Sequence, residues 1–78
     1  MNREEALKWI AELFEEPVEN IQPGTAREAI PMWDSLGVLT LMAELDERFQ
    51  IALTTDAVLA MCRVDDILSI LEDHDKLN

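Results

Sequence analysis

The chain has 78 residues, with 6 Lys and Arg against 17 Asp and Glu, so its formal charge is −11 and its pI is near 4.1. That charge repels phosphate backbones and anionic lipid; it excludes nucleic acid and acidic membranes as natural partners and favours basic protein surfaces. The length fits one domain, residues 1–78, with a radius of gyration of roughly 11–12 Å, and a hydrophobic share of 49% argues against disorder.

The N-terminal run Met1-Asn2-Arg3-Glu4-Glu5 is acidic and amphipathic, unlike a signal peptide. No stretch approaches the roughly 20 apolar residues of a membrane span. The lone Cys62 permits no internal disulfide. Together these lead us to expect a cytoplasmic monomer.

The first predicted helix runs from about Arg3 to Glu15. Ala6, Leu7, Ile10, Leu13 and Phe14 share one face, Glu4, Lys8, Glu12 and Glu15 the other, and Trp9 sits at the edge of the apolar stripe. Pro17 stops it. Residues 16–34 form a long connection with a Pro23-Gly24 turn. Val18, Ile21, Ile30, Met32 and Trp33 are spaced to pin that connection onto the core.

The second helix runs from Ser35 to Phe49, with Asp34 as its N-cap. Val38, Leu41, Met42, Leu45 and Phe49 form its core stripe. Leu36, Leu39 and Ala43 make a second apolar strip turned away from the core, with Glu44, Asp46 and Glu47 around it. Thr54 and Thr55 cap a short helix through about Met61. The last helix spans Val64 to Asp73, with Val64, Ile67, Leu68 and Leu71 as its stripe, and the tail beyond it is polar. There is no strand or hairpin pattern. The class is all-α, a four-helix bundle of three longer helices and one short one, with the long loop between the first and second.

Classical catalysis finds no constellation here. One histidine, His74, and one cysteine, Cys62, do not make a zinc site. Cys62 reads as a buried or half-buried small hydrophobe, and His74 as a solvated residue at a negative helix end. The chain therefore does not read as an enzyme, and no catalytic or metal residue is assigned. Asp34-Ser35-Leu36 is the informative triplet. Ser35 places a hydroxyl at a helix N-terminus, where free N–H groups and the dipole favour an attached phosphate. The strip of Leu36, Leu39 and Ala43 adjoins it and suits a partner with an apolar pocket rimmed by basic side chains. As an isolated signal, Asp-Ser before an apolar run is an ordinary cap, and the acids are a solvated face.

The whole chain resembles the acyl carrier protein family. The resemblance rests on the amphipathic first helix, the long loop, Trp33-Asp34-Ser35-Leu36-Gly37, and the helix from Val38 to Glu47-Arg48-Phe49. Ile51, a short helix and a final helix with Val64-Asp65-Asp66-Ile67 complete the order. The resemblance implies a bundle of acyl-carrier type in which Ser35 carries 4′-phosphopantetheine, attached covalently from coenzyme A by a magnesium-dependent phosphopantetheinyl transferase. The arm's thiol would hold acyl groups as thioesters for acyl-loading and acyl-processing enzymes with basic docking patches. By position, Asp34 would cap the helix and engage the transferase, and Leu36, Leu39, Ala43, Glu44, Asp46 and Glu47 would meet partners. Leu41, Leu45, Phe49, Ile67 and Leu71 would be core or acyl-lining residues.

The chain departs from the family pattern at Gly37 and Thr40, where fatty-acid carriers usually have acids, at Trp33, and in the loop 26–32, which lacks the common Leu-Gly ending. These departures point to a dedicated polyketide, lipid or related pathway rather than housekeeping fatty-acid synthesis. Asp34 in place of Gly-His leans away from the peptidyl carriers of nonribosomal synthesis. Gly37 would leave room for a partner or for the arm. The competing readings are an unmodified acidic helical adaptor that binds partners through helix two, and an aminoacyl or peptidyl carrier.

Overall fold

The computed structural model describes residues 1–77. Four α-helices, α1 (Arg3–Leu13), α2 (Ser35–Phe49), α3 (Thr55–Leu59) and α4 (Val64–Asp73), form a small all-α bundle. Its radius of gyration is 11.2 Å. The connection between α1 and α2 contains two single 3₁₀ turns, Val18–Asn20 and Arg27–Ala29. None of these helices is long and apolar enough to cross a membrane.

Each helix begins for a local reason. Asn2 caps α1: its side chain accepts from Glu5 N at 2.8 Å, and the Glu5 carboxylate accepts in return from Asn2 N at 3.1 Å. Thr54 Oγ1 accepts from Ala57 N and starts α3. Helix α4 has no such capping residue. Its first amides are met by the long loop instead: Val64 N donates to Thr25 O at 3.0 Å and Asp65 N to Pro23 O at 2.8 Å. The Asp66 carboxylate reaches back to accept from Cys62 N and Arg63 N.

Three helices end on a left-handed residue that is not glycine: Glu15, Gln50 and Asp75 have φ of 54°, 56° and 57°. At the end of α1, Glu16 N donates to Ala11 O and Glu15 N to Glu12 O. This reversal satisfies the last carbonyls and stops the helix at Leu13, two residues before the predicted Glu15. Pro17 lies beyond the true end.

The core joins all four helices and the loop. Ala6, Trp9, Ile10 and Ala11 enter from α1 and Phe14 from its C-cap, Val38, Leu41, Leu45 and Phe49 from α2, Val58 from α3, and Val64, Ile67, Leu68 and Leu71 from α4. Trp9 is buried rather than marginal, edge-on to Phe49 at 5.1 Å. The loop is pinned by Ile21, Ile30 and Trp33, the last stacked on Phe14 at 5.1 Å. Val18 and Met32 are not pins; each is 39% exposed. The 3₁₀ turn at Val18 and the Pro31-Met32 turn leave those two side chains on the outer side of the loop.

Cys62 also departs from expectation, since it is exposed. It lies between α3 and α4, and both its backbone groups are committed: its N–H donates to Asp66 and its carbonyl accepts from Arg27 N at 2.8 Å. That tether fixes the main chain at the surface. His74 is exposed at the end of α4, its Nδ1 2.9 Å from Ile70 O.

Candidate functional site

The Asp34-Ser35 junction is held from both sides. Behind it, Arg27 clamps the loop: Nε donates to Trp33 O at 3.2 Å, Nη1 to Leu59 O at 3.4 Å, and the guanidinium lies 5.9 Å from the Trp33 ring centre. Ahead of it, the Asp34 carboxylate accepts from Gly37 N at 3.0 Å and Asp34 O accepts from Val38 N at 2.9 Å. Asp34 is thus the N-cap of α2, as expected, and Ser35 is the first helical residue. Ser35 is exposed. At this position the N–H groups of Ser35 and Leu36 have no intrahelical acceptor, and the dipole end is positive.

Gly37 does not leave room for a partner or an arm. It is buried, and a Cβ added there would collide with the Met32 carbonyl and come within 3.3 Å of the Phe14 ring. Its missing side chain lets the loop backbone close onto α2 just before the site. Gly37 therefore helps set where Ser35 stands.

The outward strip of α2 is uncovered. Leu36 is 65% exposed and Leu39 60%, and Ala43 is exposed beside them. The expected acids do not share one environment. Asp46 and Glu47 are exposed, whereas Glu44 is half-buried and accepts from Trp9 Nε1 at 3.1 Å. That hydrogen bond ties α2 to α1 and satisfies an indole N–H in the interior.

Leu36, Leu39, Ala43 and Glu44 line an open groove of about 730 Å³ whose other wall comes from α1 and the loop. Trp9, Glu12, Leu13, Glu15 and Met32 make that second wall. Helical periodicity alone does not place these residues at the site. Trp9 at the stripe's edge was the available signal, because an aromatic there faces the neighbouring helix. Ala43 and Asp46 also line a smaller groove of about 260 Å³ with Met42, Ala52 and Leu53. Glu47 lines neither groove. Among the described residues no group of three or more His, Cys, Asp or Glu is gathered to hold a metal ion.

Comparisons with protein-family models, with curated proteins and with solved structures return no match.

Proposed function

We propose that the protein is an acyl carrier whose Ser35 accepts a 4′-phosphopantetheine arm from coenzyme A, serving a dedicated polyketide, lipid or related pathway in the cytoplasm. The observation that carries this reading is the exposed Ser35 at the first position of α2, between a clamped loop and an uncovered apolar strip. The resemblance of Trp33-Asp34-Ser35-Leu36-Gly37 and its surroundings to the carrier family supplies the chemistry.

The residues suit the group. An exposed hydroxyl at a positive helix end would tolerate a phosphodiester, because the dipole and the free first-turn amides favour negative charge there. The competing negative charge, Asp34, is directed onto Gly37 N. When attached, the arm supplies a terminal thiol for acyl groups. In the attachment itself, Ser35 Oγ bonds to the phosphorus that carries pantetheine. The coenzyme A pyrophosphate bond breaks, adenosine bisphosphate leaves, and the hydroxyl proton passes to the transferase. The chain needs no base of its own, which suits a site with no histidine beside the serine in sequence. Asp34 holds the helix start and offers a carboxylate to the transferase. Leu36, Leu39 and Ala43, with Glu44, Asp46 and Glu47, form the face that acyl-loading and acyl-processing enzymes meet.

A fluorescent coenzyme A analogue with a promiscuous phosphopantetheinyl transferase and magnesium tests the reading. Labelling is expected in the parent and in Ser69→Ala, which alters the other serine, and is lost in folded Ser35→Ala. Labelling that survives Ser35→Ala contradicts the site. Failure with a panel of transferases favours the unmodified adaptor, which binds through Leu36 and Leu39.

A further inference from the structure

The groove between α1 and α2 has a chemistry of its own. Its outer wall carries the exposed apolar side chains Leu36 and Leu39, and its loop end carries Met32. Three carboxylates line it, Glu12 and Glu15 from the α1 side and Glu44 from α2, against one cation, Arg48. The lining therefore carries 1 − 3 = −2. Glu12 and Glu15 are exposed, and neither takes part in the ion pairs Arg3–Glu72 and Lys8–Glu4. Arg48 lies against the Phe49 ring, 5.7 Å from its centre, at the far end of α2 from Ser35.

The geometry points to this groove as the docking site for a basic amphipathic helix of a partner protein, with apolar side chains along Leu36, Leu39 and Met32 and lysines or arginines against Glu12 and Glu15. Charge decides among occupants. A second copy of this chain would bring another −11 to an acidic surface, and nucleic acid or anionic lipid would bring phosphates. A cationic helix gains both apolar burial and field complementarity. The inference extends partner contact from α2 onto α1. It does not depend on the modification of Ser35, so it stands or falls separately from the carrier reading.

The test uses the unmodified full chain and a synthetic helical peptide of about four turns, roughly 21 Å long. Leucines occupy one face and lysines flank them; a second peptide has glutamine for every lysine. Binding is followed by calorimetry and by amide chemical-shift mapping. Saturable binding of the lysine peptide is expected, with shifts at residues 9–15, 32 and 36–44. The double variant Glu12→Lys/Glu15→Lys is expected to weaken it by about tenfold or more, and Glu19→Lys/Glu28→Lys, with the same charge change on exposed residues outside the groove, by no more than about twofold. Leu39→Gln, which keeps the charge, is expected to weaken it as well. Circular dichroism checks that each variant is folded. Equal loss in the two charge-reversal variants, shifts centred on Met42, Asp46 and Leu53, equal binding of the glutamine peptide, or no saturable binding would each overturn the proposal.

Discussion

At the scale of single residues, Gly37 shows a steric term overriding a helix preference. Ala is favoured over Gly inside a helix by up to about 1 kcal/mol. At Gly37 the added methyl would meet a backbone carbonyl, that of Met32, which cannot rotate aside as a side chain would. Gly37→Ala is therefore expected to lower stability by about 1–3 kcal/mol, read as a drop in Tm of roughly 4–8 °C for each kcal/mol in a domain of this size. An unchanged or higher Tm would mean that the loop does not press on α2 there. Asp34 separates two roles. Asp34→Ala removes the acceptor for Gly37 N and is expected to cost about 1 kcal/mol in thermal or urea unfolding. Asp34→Asn keeps an acceptor and loses the charge. It is expected to unfold like the parent and to be modified more slowly by the transferase. Modification of Asp34→Asn at the parental rate would limit Asp34 to capping.

At the scale of elements, the long loop is a structural part of α4. Its Thr25 and Pro23 carbonyls stand where a capping side chain would otherwise be, and Ala26 pairs with Arg63 in an isolated antiparallel bridge. Arg27 then joins the loop to the end of α3 through Leu59 O and to the start of α2 through Trp33 O. Arg27→Lys keeps the charge and loses the planar fork. It is expected to destabilise the fold by about 1–2 kcal/mol in urea unfolding, from two backbone acceptors left without their donor. Parental stability in Arg27→Lys would contradict the clamp.

Elements with strong local signals were legible. Helix α2 begins and ends where Asp34 and the apolar period place it, and α4 follows its stripe from Val64 to Asp73. The predicted α1 runs two residues past the observed end because no glycine marks the left-handed stop at Glu15. The strip of Leu36, Leu39 and Ala43 was legible as unburied because it lies off the core stripe of its own helix. The α1 wall of the groove was not, because which side of α1 faces α2 depends on packing that periodicity does not encode. The expected burial of Cys62 fails for a similar reason: its main chain is held at the surface by Arg27 N of the distant loop and by the Asp66 carboxylate four residues on.

At the scale of the whole molecule, charge is the dominant unbalanced term. The chain carries −11 on a body with extents of 26 × 26 × 18 Å. Among the described residues the ion pairs Arg3–Glu72 and Lys8–Glu4 are both 3.9 Å long and exposed, so they contribute little. Self-repulsion should then fall as salt screens it, over a Debye length of about 10 Å at 0.1 M. The expected result is a Tm that rises with added salt from low to moderate ionic strength. A flat Tm would mean that the carboxylates are already accommodated by the fold.

The same surface charge, the clamped loop and the exposed hydroxyl meet in one claim, that Ser35 is the point where the chain receives its arm. The most direct test is the intact mass of the purified protein before and after incubation with coenzyme A, magnesium and a phosphopantetheinyl transferase. The account predicts a gain of one phosphopantetheine in the parent and none in Ser35→Ala with its helical circular dichroism retained. No gain in the folded, unmodified parent across a panel of transferases, or an equal gain in Ser35→Ala, would contradict it.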